Sequence, residues 1–131
     1  MIGNNLSLKK ISALEFKKRL ATDKKALKWL LWFLVNPLHN YRCYKISLDE
    51  VCIGILCTDN QNISEVSFII FDKYRRKGLG GAVVSKAKAL FGSCKFKVNP
   101  LNKQSILFFD HLLSTQIIKS IESKKGFLFY K

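Results

Sequence analysis

Val66, Phe68 and Ile70 alternate with Glu65, Ser67 and Ile69, the two-residue period of a strand, and Leu79, Val83, Ala87, Leu90 and Phe91 then recur at helical spacing. The change of period falls on Arg75, Arg76, Lys77, Gly78, Leu79, Gly80 and Gly81. Upstream, the pattern predicts a short strand over residues 6–10 and a helix over 12–20, with Ser12 as N-cap and Glu15 completing a capping box. Asp23 is placed to cap a second helix over 24–34, apolar on nearly every face and closed off before Asn36 and Pro37. β-rich runs at 41–48 and 51–58 flank Asp49-Glu50 as a hairpin, and a polar turn at 59–62 leads into a strand over 63–71. Beyond the glycines come a helix over 79–91, a strand near 94–99, a helix over 103–113, and a final hairpin from 117–123 and 126–130. No repeat or linker interrupts the series, so the chain reads as one domain over residues 1–131, an α+β sheet with helices on both faces.

The strand-to-helix junction has the makings of a phosphate cradle. Glycines let the backbone approach an anion closely, the unpaired N–H groups of a first helical turn point at it, and Arg75, Arg76 and Lys77 add positive charge. A solvated basic helix start is the competing reading. The spacing fits neither common nucleotide loop: there is no Gly-x-x-x-x-Gly-Lys-Ser/Thr run, and no third glycine follows Gly78-x-Gly80 as a dinucleotide fingerprint requires.

Arg75, Gly78 and Gly80, spaced Arg-x-x-Gly-x-Gly after a strand, resemble the acyl-CoA pyrophosphate loop of the GNAT superfamily of N-acyltransferases. A second block agrees: Val98 to Phe109 looks like the next GNAT segment, a strand and an Asn followed by a helix, with Ser105 three positions after Asn102 and Phe109 seven after. The resemblance implies a mixed, mostly antiparallel sheet of about seven strands flanked by about four helices. It implies acetyl-CoA as co-substrate, its pantetheine arm held by the main chain of Phe68, Ile69 and Ile70. Its pyrophosphate would be held by the loop from Arg75 through Arg76, Lys77, Gly78, Leu79 and Gly80 to Gly81, and Asn102 and Phe109 would also contact the cofactor.

Composition narrows the partners. Twenty-three Lys and Arg against nine Asp and Glu give a formal charge of +14, which favours anionic ligands, although a lysine-rich habit of the source genome would give the same count. The lysines are spread along the chain, without the focused patch that nucleic-acid binding needs. No segment reaches about 18 consecutive apolar residues, and the first residues lack the pattern of a secretory leader. Cys43, Cys52, Cys57 and Cys94 form no C-x-x-C pair, and Cys52 and Cys57, an odd number of positions apart in one strand, are expected on opposite faces. Free thiols in a cytoplasmic setting follow. His39 and His111 are the only histidines and suggest no metal site.

Direct acetyl transfer needs a base for the acceptor ammonium and tolerates a proton donor for the departing thiolate. Glu65, early on the strand before the cradle, is the candidate base, with an ordinary solvent-facing Glu as the competing reading. Many relatives implied by the resemblance carry a Tyr acid where this chain has Phe109, and some a Glu base where it has Lys97; Tyr130 is a substitute acid to consider. For the acceptor, Trp29, His39 and Tyr41 are the candidates, among aromatics whose alternative is core packing. The order of features, from Lys28-Trp29 through Asn36-Pro37 to Val98-Asn99-Pro100, looks like the GNAT branch that acetylates amino sugars on nucleotide carriers. The alternatives are a protein, peptide or aminoacyl-RNA acceptor, or an acyl-CoA-binding module without turnover. The resemblance is compatible with a monomer or a homodimer.

Overall fold

The computed structural model describes residues 5–24, 41–59, 65–75 and 77–131. Chain order among them is β1 (Leu6–Ile11), α1 (Ala13–Leu20), β2 (Tyr41–Leu48), β3 (Val51–Asp59), β4 (Glu65–Ile70), a 3-10 turn (Asp72–Tyr74), α2 (Leu79–Phe91), β5 (Lys95–Val98), α3 (Lys103–Ser114), β6 (Ile121–Lys124) and β7 (Phe127–Tyr130). Beyond its first residue the expected second helix over 24–34, with Trp29, lies outside the described residues, as do His39 and Arg76. The seven strands form one sheet in the order β1-β2-β3-β4-β5-β7-β6, antiparallel at every step except β4–β5. That is the α+β architecture expected from the sequence. Among the described residues no helix is long and apolar enough to cross a membrane.

Strand alternation sorts the core into two layers. On one face α2 and α3 bury Leu79, Val83, Val84, Ala87, Phe109 and Leu112 against Ile46, Leu56, Val66, Ile70, Phe96 and Val98. On the other, Phe16 and Leu20 of α1 pack on Cys43, Ile55, Cys57 and Ile69. Ser12 caps α1 by accepting from the Glu15 N–H at 3.1 Å, while the Glu15 carboxylate turns to Arg19 at 2.7 Å, so only half of the expected capping box forms. The β2–β3 turn has both Asp49 (φ 51°) and Glu50 (φ 69°) in the left-handed region, the backbone that matches hairpin twist.

A bulge in β3 overturns one expectation. Ile46 pairs with Gly54 but Ser47 pairs with Cys52, leaving Ile53 unopposed. The extra residue reverses the parity of the strand, so Ile53 joins Leu56 in the α2/α3 layer. Cys52, expected to face away from Cys57, therefore shares its face and lies within reach of the Arg19 guanidinium of α1. All four cysteines are free. Burial pushes the Cys43 thiol up to about 11 and raises its cross-strand partner Cys57 as well.

The final hairpin also starts later than its composition suggests. Residues 117–120 are not strand: Gln116 takes a left-handed conformation (φ 66°), and Ile118 folds back to donate to the Leu112 carbonyl at 3.1 Å, burying its side chain under the end of α3.

Gly54 leaves no room between β3 and β4 for a side chain, since a Cβ there would collide with the Ile69 carbonyl oxygen and stand 3.1 Å from the Ile70 Cα. Backbone cannot swing aside as a side chain can. Gly54→Ala is expected to lower unfolding free energy by about 1–3 kcal/mol in a denaturant titration. A loss within about 0.3 kcal/mol would show that the two strands separate freely.

Candidate active site

The parallel pair β4–β5 opens where the chemistry is expected. Its ladder contains Glu65 opposite Lys95 and Val66 opposite Phe96 and then stops, although β4 continues to Ile70 and β5 to Val98. Phe71 donates its N–H to the Ile53 carbonyl at 2.9 Å. By strand alternation, residues 67, 69 and 71 present their main-chain groups to β3, whereas Phe68 and Ile70 present theirs to the opening. Of the three residues expected to hold a pantetheine arm, Phe68 is thus oriented toward the opening with both main-chain groups and Ile70 with its N–H, its carbonyl accepting from Arg75 Nε, while Ile69 is committed to the sheet.

The open edge leads into the glycine loop. Gly78 is the N-cap of α2 at φ 73°, with no side-chain cap bond, so the N–H groups of Leu79, Gly80 and Gly81 in the first turn are left for an anion. Lys77 is exposed beside them. Arg75 is turned elsewhere: its Nε donates to the Ile70 carbonyl at 2.8 Å and its Nη1 lies 3.6 Å from Asp72 Oδ1. Its role in this conformation is to tie the loop to the end of β4. A Cβ on Gly80 would stand 2.7 Å from the Phe108 ring, which places α3 directly against the first turn of α2.

Aromatic rings fill the α2/α3 side of the opening. Phe68 meets Phe96, Phe108 and Phe109 edge-on at centroid distances of 6.1, 6.4 and 6.2 Å. Phe109, expected at the cofactor thiol, is instead 6% exposed, stacked on Tyr130 at 5.0 Å and tilted on Phe96 at 5.6 Å. It is a core residue because helical periodicity turns it straight down onto the sheet. Tyr130, considered as a substitute acid, has its hydroxyl donating to Asp110 Oδ1 at 2.9 Å, and burial with that carboxylate raises the phenol to about 12. Asn102 serves as N-cap of α3, its Oδ1 accepting from Ser105 N–H at 3.1 Å, and its side-chain amide N–H groups carry no hydrogen bond among the described residues.

The opposite face gathers the polar groups. Glu65 begins β4 there, and Tyr41 at the start of β2 lies within electrostatic reach of Glu65, Asp59 and Cys57; burial first, then those charges, raises its phenol to about 12. Lys97 reaches the same region, with Nζ 4.2 Å from the Phe127 ring centroid and its charge felt at Cys57. Glu65, Tyr41 and Lys97, far apart in sequence, thus share one face of the sheet, Tyr41 near Glu65 and both Tyr41 and Lys97 near Cys57, while the glycine loop follows the far end of β4. His111 is exposed on the last turn of α3.

Phe108 and Asp23 belong to the site's framework and carried only weak signals. Phe108 reads as the neighbour of a motif position. Asp23 reads as a cap, yet its buried carboxylate accepts the Asp72 N–H at 2.7 Å.

No protein-family profile and no curated protein matches the sequence. Solved structures do match in shape. An acetyltransferase from Thermus thermophilus superposes with a TM-score of 0.64 at 14% identity over 99% of this chain and 97% of that one. Campylobacter jejuni N-acetyltransferase PseH in complex with acetyl coenzyme A gives 0.52 at 18% identity, over 95% and 96% of the two chains. A GNAT family acetyltransferase from Elizabethkingia anophelis with acetyl-CoA bound gives 0.55 at 8% identity over 97% of each. Agreement over nearly the whole of each chain, in structures that share little sequence with this one, gives one result: this chain has the GNAT acetyltransferase fold.

Proposed function

We propose that the protein is an acetyl-CoA-dependent N-acetyltransferase that passes the acetyl group directly to a primary amine. The observation that carries this reading is the opening between β4 and β5, with the main-chain groups of Phe68 and Ile70 at its edge and the uncapped start of α2 at its end. An extended amide-bearing arm can pair with that edge as an added strand does, while a pyrophosphate sits on the helix N-terminus. Lys77 adds charge, and Asn102 offers its side-chain amide at the head of α3. Solved structures of this fold that hold acetyl-CoA support the choice of cofactor.

Glu65 takes the proton from the acceptor ammonium, so that the neutral amine attacks the thioester carbonyl and the coenzyme thiolate departs. Phe109 is apolar and the Tyr130 proton is held by Asp110, so solvent protonates the thiolate. The acceptor enters on the face of Glu65 and Tyr41, and an amino sugar on a nucleotide carrier is the acceptor class that the order of sequence features favours. Four free thiols fit a cytoplasmic setting. The buried Phe109, which leaves no proton donor at the expected place, favours one second reading, a module that binds acyl-CoA without turning it over.

Calorimetric titration with acetyl-CoA tests the cofactor. One-to-one binding is expected, weakened about tenfold by Lys77→Glu at low salt, with the difference shrinking as ionic strength rises. No binding by the folded wild-type protein would remove the acetyltransferase reading.

A further inference from the structure

We propose that Asp23 is a positioning residue for the cofactor loop, holding the start of α2 in place through the main chain of Asp72. The inference rests on the acyl-CoA reading of that loop.

Asp23 follows α1 on the sheet face opposite α2, and its carboxylate is buried, with 9% of the residue exposed. A buried carboxylate must be hydrogen-bonded to be tolerated. Asp23 Oδ2 accepts the Asp72 N–H at 2.7 Å across 49 residues of chain. Asp72 opens the 3-10 turn that joins β4 to the glycine loop, so the contact ties the α1 layer to the segment that feeds the helix of the other layer.

The remaining bonds described for residues 72–75 are local: Tyr74 N–H to the Phe71 carbonyl at 2.9 Å, Arg75 N–H to the Asp72 carbonyl at 3.2 Å, and Arg75 Nε to the Ile70 carbonyl at 2.8 Å. Those bonds tie the turn to the end of its own strand and give it no reference in the α1 layer. Asp23 supplies that reference, and through Asp72 it also orients the partner of Arg75, whose guanidinium spans Asp72 and the Ile70 carbonyl. A shift of the turn would move the Leu79, Gly80 and Gly81 N–H groups away from the line of the open β4 edge. Anion binding by oriented N–H groups is steeply geometric.

The test compares coenzyme A affinity by calorimetry in the full-length wild type, Asp23→Ala, Asp23→Asn and Leu20→Ala. Asparagine keeps an oxygen that can accept the Asp72 N–H. Leu20, fully buried under α1, provides a loss of stability unrelated to the loop. Asp23→Ala is expected to weaken coenzyme A binding about tenfold, Asp23→Asn to restore it to within about threefold, and Leu20→Ala to lower the melting temperature with affinity nearly unchanged. In the transferase assay, KM for acetyl-CoA rises in Asp23→Ala while kcat at saturating cofactor holds. Wild-type binding that Asp23→Ala leaves unaltered, or an equal loss in Leu20→Ala, overturns the positioning role alone. No coenzyme A binding by the wild type overturns the cofactor reading and this role with it.

Discussion

Glu65→Gln lowers kcat for acetyl transfer by about 10²–10⁴-fold, the usual worth of a positioned general base, while acetyl-CoA affinity stays within about twofold. Glutamine keeps the shape of the side chain and most of its hydrogen-bonding capacity but cannot take a proton from an ammonium. Glu65 is half-buried at the start of β4, opposite Lys95 in the first of the two pairs of the β4–β5 ladder, next to the point where the strands part. Tyr41 is within electrostatic reach from two strands away. The side chain thus stands at the end of the opening remote from the glycine loop, where the proposed function would bring the acyl end of an arm laid along β4. Coenzyme A release measured against a panel of primary amines, amino sugars on nucleotides included, reads the effect. A measurable rate that the substitution leaves unchanged would place the base elsewhere, and a wild type that binds acetyl-CoA but acetylates none of the amines would favour the binding module.

Phe109→Ala costs about 3–5 kcal/mol of stability, a large share of the 5–15 kcal/mol that holds a typical domain folded. Phe109 touches Phe68, Phe96, Phe108 and Tyr130, joining β4, β5, β7 and α3 in one aromatic cluster. Truncation removes a fully packed ring and leaves a cavity among side chains that are themselves held by the sheet. Urea denaturation of the two proteins measures the difference as a shift in midpoint at constant slope. A loss below about 1 kcal/mol would mean that the ring lines the cofactor opening rather than the core, as its place in the sequence block suggests.

Most elements were legible before the structure because their causes are local. Helix α2 spans the predicted residues 79–91, since its apolar repeat and its glycines at both ends leave no other frame. The Asp49-Glu50 hairpin and the strand before the cradle follow from two-residue alternation and turn chemistry. The glycine loop was legible as a candidate site for the same reason, a change of period marked by residues that free the backbone.

The features that the sequence did not show share a different cause. A single unopposed residue, Ile53, changes the face of Cys52, and no property of Ile53 announces a bulge. Phe109 carries a motif address, yet burial is decided by what faces it, and Phe96 and Tyr130 come from two other strands. Arg75 belongs to the loop by composition, while its guanidinium goes to a carbonyl and a carboxylate that only the folded turn brings within reach.

Periodicity, capping and turn residues, which act over a few positions, were enough to place most of the described strands and helices and to mark a candidate anion cradle. Which main-chain groups face the opening, which ring is core, which acid bonds the turn after β4 and which residues come near Glu65 depended on contacts between segments tens of residues apart. Those contacts form only when the sheet closes its register, so no local pattern encodes them.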